Sequence, residues 1–486
     1  MGKEVFAGID YGTSNCLAAT IDGDEPKLVP LENGDTNLLS AVYAATEEDL
    51  LPEVDEAILQ KRIAGAKAQQ RREKKSDEEK FREYLKKELT DQEIRSREIG
   101  VLKREIAAQD QEKGINETLR ESEDIRYGWS ALKAHLQDPD NGYFVKSPKA
   151  FLGADLRPYD KDRFVQITTK ILSYIKRSIE QSENAEVKNA VIGRPVSFYT
   201  KAEEKRDKQA IDILNKGSMA AGFQGVEFVV EPVAAALEYE RTLSSEKVVL
   251  VFDAGGGTTD CTMMKLGPSE KQESDRLQSV IGVAGIRLGG TDIDIKLAYR
   301  DIMPIVGKEL CQDNGLPLPA QLFWDAAAVN DVNAQMRFYS EFTRRDIDYF
   351  SRTVGGQQLK RLKKLQKQRL TMRLNRSAEL AKIYLSDKTP ITLPLKYLEK
   401  DLDVKINRKQ LKEAARIEID QMANQMEEAV KKSGVQPDAL FLTGGTARSP
   451  IMRTAIREKF PKTPIHDGDH SGSVVKGLAL WGKSLL

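Results

Sequence analysis

Apolar and polar residues follow distinct rhythms in successive stretches of the chain. Residues 1–48 alternate apolar with polar positions between Gly, Asn and Asp turns, which predicts a β-rich start. Over about 53–124 the sequence is dense in helix formers and opposite charges. Phe81, Leu85 and Leu89 recur there at a spacing of four as a thin apolar stripe. This predicts one or two long exposed helices or a helical hairpin, either a solvated spacer or a docking arm. From about Tyr127 the pattern becomes globular. It predicts a helix over 164–181, a strand over 190–195, a helix over 201–221, a strand over 227–230 and a helix opening at Val233. Apolar runs at 247–252 and 440–442 read as buried strands, and 325–401 as a charged, largely helical region. Strands alternating with helices argue for an α/β class with packed three-layer domains.

Composition narrows the field. The 486 residues carry 75 Lys+Arg and 75 Asp+Glu, so the net charge gives no global pull toward nucleic acid or an anionic membrane. The Arg/Lys run Lys360-Arg361-Leu362-Lys363-Lys364 is read as a solvated helix face, given the interleaved acids and balanced total. No apolar run approaches the roughly 18 residues needed to span a membrane. Cys16, Cys261 and Cys311 cannot build a disulfide framework, and the N-terminus reads as neither signal peptide nor myristoylation site, which predicts a cytoplasmic protein. Cys16 and Cys261 read as small core residues.

The candidate chemistry sits where strands end. Lys247-Val248-Val249-Leu250-Val251-Phe252 runs into Asp253-Ala254-Gly255-Gly256-Gly257-Thr258-Thr259-Asp260, and Val5-Phe6-Ala7-Gly8-Ile9 into Asp10-Tyr11-Gly12-Thr13-Ser14-Asn15. A strand ending in a carboxylate and then glycines brings backbone N–H groups close to an anion, and the carboxylate can hold a hydrated Mg²⁺. Two such hairpins suggest a duplicated domain clamping one phosphate chain from both sides. No Walker-type P-loop is expected: neither turn closes in Gly-Lys-Ser/Thr, and Gly482-Lys483-Ser484, at the Walker spacing from Gly477, follows an apolar Leu-Ala-Leu-Trp run rather than a Gly-rich turn.

Together with Glu231-Pro232-Val233-Ala234-Ala235-Ala236, Leu288-Gly289-Gly290-Thr291-Asp292-Ile293-Asp294 and Leu442-Thr443-Gly444-Gly445-Thr446-Ala447-Arg448-Ser449-Pro450, these motifs resemble the actin-like ATPase superfamily. Within it they look most like the nucleotide-binding domain of the DnaK-type heat-shock chaperones, including the YegD-like branch that lacks the peptide-binding domain. The resemblance implies two duplicated ribonuclease-H-like lobes (1–246 and 247–486) flanking a nucleotide cleft. Lobe I would carry the charged insertion, and lobe II a charged helical subdomain over about 300–401. The chain stops at Leu486, soon after a segment matching the last helix of the ATPase domain, so the peptide-binding half is expected to be absent.

The resemblance also implies roles. Asp10 and Asp253 would hold Mg²⁺ through waters. The turns at Gly12, Thr13, Ser14 and Asn15 and at Gly255, Gly256, Gly257 and Thr258 would grip the phosphates. Glu231, on a short Glu-Pro turn, would position water and ions. Lys149 would neutralise charge on the γ-phosphoryl group, with an ordinary surface lysine as the alternative reading of its short motif. Gly289, Gly290 and Asp292 would line the ribose and phosphate cleft, and Gly444, Gly445 and Arg448 would lie under the adenosine. Glu379, Lys382 and Ser386 share one helix face and would bind adenine and ribose. Ile383 stands where the chaperones stack an arginine on adenine, which predicts weaker adenine affinity or a slower cycle.

The activity implied is slow, Mg²⁺-dependent ATP hydrolysis with ATP/ADP as ligand and K⁺ as an optional second ion, coupled to a protein partner through the helical insertion. Nucleic acid and membrane are not expected. The alternatives are an ATP-binding scaffold with little hydrolysis and a small-molecule kinase of the same superfamily.

Overall fold

The computed structural model describes residues 6–45, 55–76, 90–95, 98–99, 102, 119, 122, 124–137, 142–198, 204–272, 276–469 and 472–485. Two sheets share one wiring. In the first, β3 (Glu25–Leu28), β2 (Asn15–Asp22), β1 (Phe6–Tyr11), β8 (Asn189–Arg194) and β9 (Gly225–Val230) lie side by side, with the short β4 (Leu38–Leu39) paired to β2. In the second the order is β12 (Val280–Ile286), β11 (Thr259–Leu266), β10 (Lys247–Ala254), β15 (Ala439–Thr443) and β16 (Ile465–Asp467). In both, an antiparallel hairpin leads, a third strand joins it antiparallel, and two further strands run parallel to the first.

The helices repeat as well. Pro158–Glu183 and Arg416–Ser433 precede the fourth strand of their sheets, Glu204–Ala220 and Pro450–Lys459 follow it, and Glu231–Glu240 and Ser473–Ser484 follow the fifth. The central strands β1 and β10 are apolar on both faces because helices cover both.

The two units meet along an apolar seam. Helix Glu231–Glu240 crosses helix Ser473–Ser484 so closely that a Cβ on Gly477 would lie 1.8 Å from the Ala234 carbonyl oxygen. The run Ala234, Ala235, Ala236 supplies the flat surface this crossing needs, and Val191, Val249 and Phe441 fill it from both sheets beside Leu478 of the last helix. The last helix also reaches back over the first hairpin, placing Val475 and Ala479 against Leu17 and Ala19. A Cβ on Gly8 would lie 2.4 Å from the Ala479 nitrogen.

Each unit carries an outgrowth. On the first, β5 (Ala41–Ala45), β6 (Ile125–Tyr127) and β7 (Gly142–Lys146) form a small sheet packed on helix Gly128–Gln137. On the second, the helices between Ala320–Ala327 and Thr371–Asp387 stand with the hairpin of β13 (Ile391–Pro394) and β14 (Asp403–Ile406).

The charged insertion lies between β5 and β6. Its helix Glu56–Ser76 packs Leu59 and Ile63 against Ile94, Ile99 and Leu102, flanked by the ion pairs Arg95–Glu56 at 2.9 Å and Lys67–Asp91 at 2.8 Å. The stripe Phe81, Leu85, Leu89 lies outside the described residues.

Glu231 departs from expectation. It opens a helix rather than sitting on a free turn, and Pro232 fits the first helical turn, where no backbone N–H is needed. Cys16 and Cys261 are buried in β2 and β11. Among the described residues, no helix is long and apolar enough to cross a membrane.

Candidate active site

Both hairpins turn in the same number of residues. Tyr11 pairs with Cys16 and Ala254 with Thr259, leaving residues 12–15 and 255–258 as the loops. The loops face and touch each other. A Cβ on Gly256 would lie 1.9 Å from Ser14 Oγ, and one on Gly257 2.6 Å from Thr13 Cγ2.

The second turn is pinned from behind. Gly290 N and Thr291 N, at the start of helix Gly290–Leu297, donate to the carbonyls of Gly255 (3.0 Å) and Gly256 (2.8 Å), and Thr446 Oγ1 donates to Gly255 O at 2.8 Å. Gly444 has φ +82, and a Cβ there would lie 2.4 Å from Ala254 O and 2.6 Å from Asp253 Oδ1, so only glycine fits. The four glycine-marked strand ends foreseen in the sequence therefore gather at one place.

Lys149 is carried there by a relay of backbone bonds. Ser40 N donates to Ser14 O at 2.9 Å, and Ser147 N to Ser40 O at 2.7 Å. Ser147, at φ 58, then turns the chain into the 3₁₀ turn Pro148–Phe151. Lys149 is 4% exposed and its ammonium donates to Glu231 Oε1, so it is no surface lysine. Gly193 leaves room for Glu231, since a Cβ there would lie 3.0 Å from Glu231 Cγ.

Around that single ammonium stand Asp10, Glu231, Asp253 and Asp260. Burial and then the charge of Glu231 push Asp10 up from 3.8 to about 7, against the pull of Lys149. Burial and Glu231 likewise push Asp260 up to about 7, although Val196 N donates to it at 2.7 Å. Asp253 is raised well above 3.8 by burial, Glu231, Asp260 and Asp10. Burial alone would lower Lys149, but Glu231, Asp10 and Asp260 outweigh it and raise it. The cluster has excess negative charge and suits a cation. Among the described residues no three acidic, His or Cys side chains are placed to ligate a metal directly. Such a donor set fits a Mg²⁺ that keeps its waters and takes phosphate oxygens.

At the nucleoside end, helix Thr371–Asp387 carries Glu379, Lys382 and Ser386. Lys382 is engaged internally, donating to Gly290 O at 2.8 Å and pairing with buried Asp294 at 2.9 Å. Ser386 Oγ donates weakly to Lys382 O at 3.4 Å. Glu379 pairs with Lys146 at 3.3 Å and Arg376 at 2.8 Å. Burial opposes its ionisation, but Lys146, Arg376 and Lys382 prevail and hold it at about 2. Asp292 caps its own helix, accepting from Gly289 N at 2.9 Å and from Asn330 Nδ2 at 3.0 Å. Gly445, Arg448 and Ile383 are exposed.

Three residues here had no role in the sequence reading. Asp260 pairs in register with Asp253, but its counterpart in the first hairpin is Leu17 opposite Asp10, so the internal repeat gives no hint of it. Thr446 and Asp294 lie inside quoted motifs, and only the fold shows what they hold.

The model of the Hsp70 protein family matches residues 153–299 and 340–485. The chain belongs to the Hsp70 family. Chaperone protein DnaK of Thermosipho africanus is 27% identical over 350 residues, 69% of this chain and 48% of that protein. DnaK of Thermosipho melanesiensis is 26% identical over 351 residues, covering 69% and 48%, and DnaK of Thermotoga neapolitana 26% over 374 residues, covering 74% and 51%. The chain thus spans about half the length of these relatives. In this Hsp70 chain the two lobes adopt the family's actin-like ATPase fold. The match begins after the first turn and Lys149, whose assignment rests on the geometry above.

Proposed function

We infer that the chain binds ATP between its lobes and hydrolyses it slowly with Mg²⁺, acting as a nucleotide switch of chaperone type. The observation that carries this reading is the pair of equal turns in contact above Asp10, Asp253 and the Lys149–Glu231 pair. Bound Mg²⁺–ATP would supply the electrophilic phosphorus and neutralise the carboxylates. Asp10 and Asp253 would hold the cation through its waters. Lys149, kept charged and fixed by Glu231, faces the developing phosphoryl charge, so catalysis comes from positioning and electrostatics. The hydroxyls of Thr13 and Thr258 orient phosphate and water, and Thr258 is itself tethered to Asp260.

Because the turns touch, a triphosphate enters only when the lobes part. Exposed Ile383 offers the purine an apolar face without the attraction of a guanidinium, which supports a low affinity. The helical insertion, with its own small core, is the part of lobe I suited to a protein partner. Phosphate release from Mg²⁺–ATP, compared between the native chain and Asp10→Ala, tests the reading. Equal rates would refute turnover, and calorimetric binding without turnover would select the scaffold alternative.

A further inference from the structure

Whole-chain neutrality hides a strong local imbalance. Between Asp348 and Glu379 the sequence has nine Lys or Arg residues and no Asp or Glu. The stretch runs from the last residues of helix Glu341–Thr353, through Gly355 and Gly356, into the adjacent helix Gln357–Lys367 of the lobe II outgrowth; the first helix itself sets Arg344, Arg345 and Arg352 against Glu341, Asp346 and Asp348. Their apolar sides (Ile347 and Phe350, then Leu359, Leu362 and Leu365) are sunk in the lobe core.

What remains outside is ordered. On the first helix Phe342, Arg345, Tyr349 and Arg352 follow one another at spacings of three, four and three, forming one stripe of alternating aromatic and guanidinium groups. All four are exposed, Phe342 at 74% and Tyr349 at 52%. On the second, exposed Lys360, Lys363 and Lys367 form another stripe at spacings of three and four. The nearby acids answer only part of it. Glu341 pairs with Arg344 at 2.7 Å and Arg345 at 3.4 Å, and Asp348 with Lys363 at 2.6 Å, all at the surface where such pairs are weak. Among the described residues no carboxylate pairs with Lys360 or Lys367.

We propose that this double stripe binds single-stranded nucleic acid, with bases stacked on Phe342 and Tyr349 and phosphates on Arg345, Arg352, Lys360 and Lys367. Exposed rings alternating with cations match the alternation of base and phosphate along a strand. A bilayer is a poor fit, because the apolar faces that would enter it are already committed to the core. The expectation of no nucleic acid rested on the balanced total charge and on interleaved acids; the total says nothing of where the charge lies, and residues 349–378 hold no acid.

The test uses the full chain and a fluorescent oligouridylate of about 20 nucleotides, longer than the roughly 4–16 that one such platform covers. Anisotropy should report binding at low salt. About four phosphate contacts, at about 0.7 each, give a log–log salt slope near −2.8, so affinity should fall roughly fiftyfold between about 50 and 200 mM salt. R345E/R352E/K360E/K367E should lose at least about tenfold in affinity and flatten that slope. F342A/Y349A should lose about 5- to 150-fold per stacked base while the slope stays. Thermal melting checks that each variant is folded, and if the charge reversal unfolds the chain, the aromatic pair decides. A polyglutamate peptide and vesicles containing anionic lipid are run in parallel. The proposal is overturned if oligouridylate binds the native chain no better than the variants, if F342A/Y349A binds normally, or if the peptide or the vesicles bind and the oligonucleotide does not.

Discussion

At the scale of single residues, the centre of the molecule is an unbalanced set of four carboxylates around one lysine, and its pH behaviour follows. Asp10 and Asp260 rise from 3.8 to about 7 on folding, so their contribution to stability is whole below about pH 4 and is lost as pH climbs through 7. A bound cation reverses this preference by favouring the ionised forms. Mg²⁺–ATP affinity should therefore increase from about pH 6 to 8, with protons released on binding, read by calorimetry in buffers of different ionisation enthalpy. A flat profile with no proton release would contradict the arrangement. Lys149→Met should slow turnover about 10²–10³-fold, because it removes the buried ammonium that Glu231 fixes among Asp10 and Asp260. Phosphate release under saturating ATP checks it, and near-native turnover would remove Lys149 from the chemistry. Asp10 and Asp253 were legible in the sequence because each closes an apolar strand before glycines. Asp260 was not, because its meaning depends on the register opposite Asp253. Lys382 reads in the sequence as a ligand contact, yet its ammonium is held by Gly290 and Asp294, residues about 90 positions away that no local pattern connects to it.

At the scale of elements, the insertion behaves as an attachment with a core of its own. Leu59 is fully buried, but against Ile94, Ile99 and Leu102 rather than against either sheet. Leu59→Ala should cost the arm about 2–5 kcal/mol. Amide exchange in helix Glu56–Ser76 should quicken while β1 and β10 keep their protection, as expected of a separately opening unit. Slowed refolding or loss of protection in the sheets would instead tie the arm to the main core. The central elements were readable because their signals are local. The runs ending at Ile9, Phe252 and Leu442 gave strands, and the Gly turns gave hairpins. The sheet of β5, β6 and β7 was not foreseen. Its strands are short, and β5 finds its partners only after the chain has crossed the whole insertion, a pairing without local trace.

At the scale of the whole molecule, the lobes are joined by two unlike borders. The seam beneath the site is apolar and tight, with Gly477 against Ala234 leaving no space for an added methyl. Across the cleft mouth the contacts are polar and reversible. Arg376 lies 4.8 Å from the Trp129 ring centroid and pairs with Glu379, which also takes Lys146 from the other lobe, and Arg287 Nε donates to Ala150 O at 3.1 Å. In the proposed switch the tight seam would act as the hinge, and opening would cost roughly what the mouth contacts contribute. A partly buried cation–π or ion pair is worth about 1 kcal/mol, so Trp129→Ala or Lys146→Gln should speed nucleotide release about three- to tenfold. Both variants weaken one linked chain through Arg376 and Glu379, so the double variant should gain less than the product of the two. Added salt should accelerate release from the native chain more than from Lys146→Gln, because only the native chain keeps that ion pair to screen. Stopped-flow displacement of a fluorescent ATP analogue reads all three effects. Unchanged release rates alongside a lowered melting temperature would mean that the mouth contacts merely brace the fold and that opening is governed elsewhere.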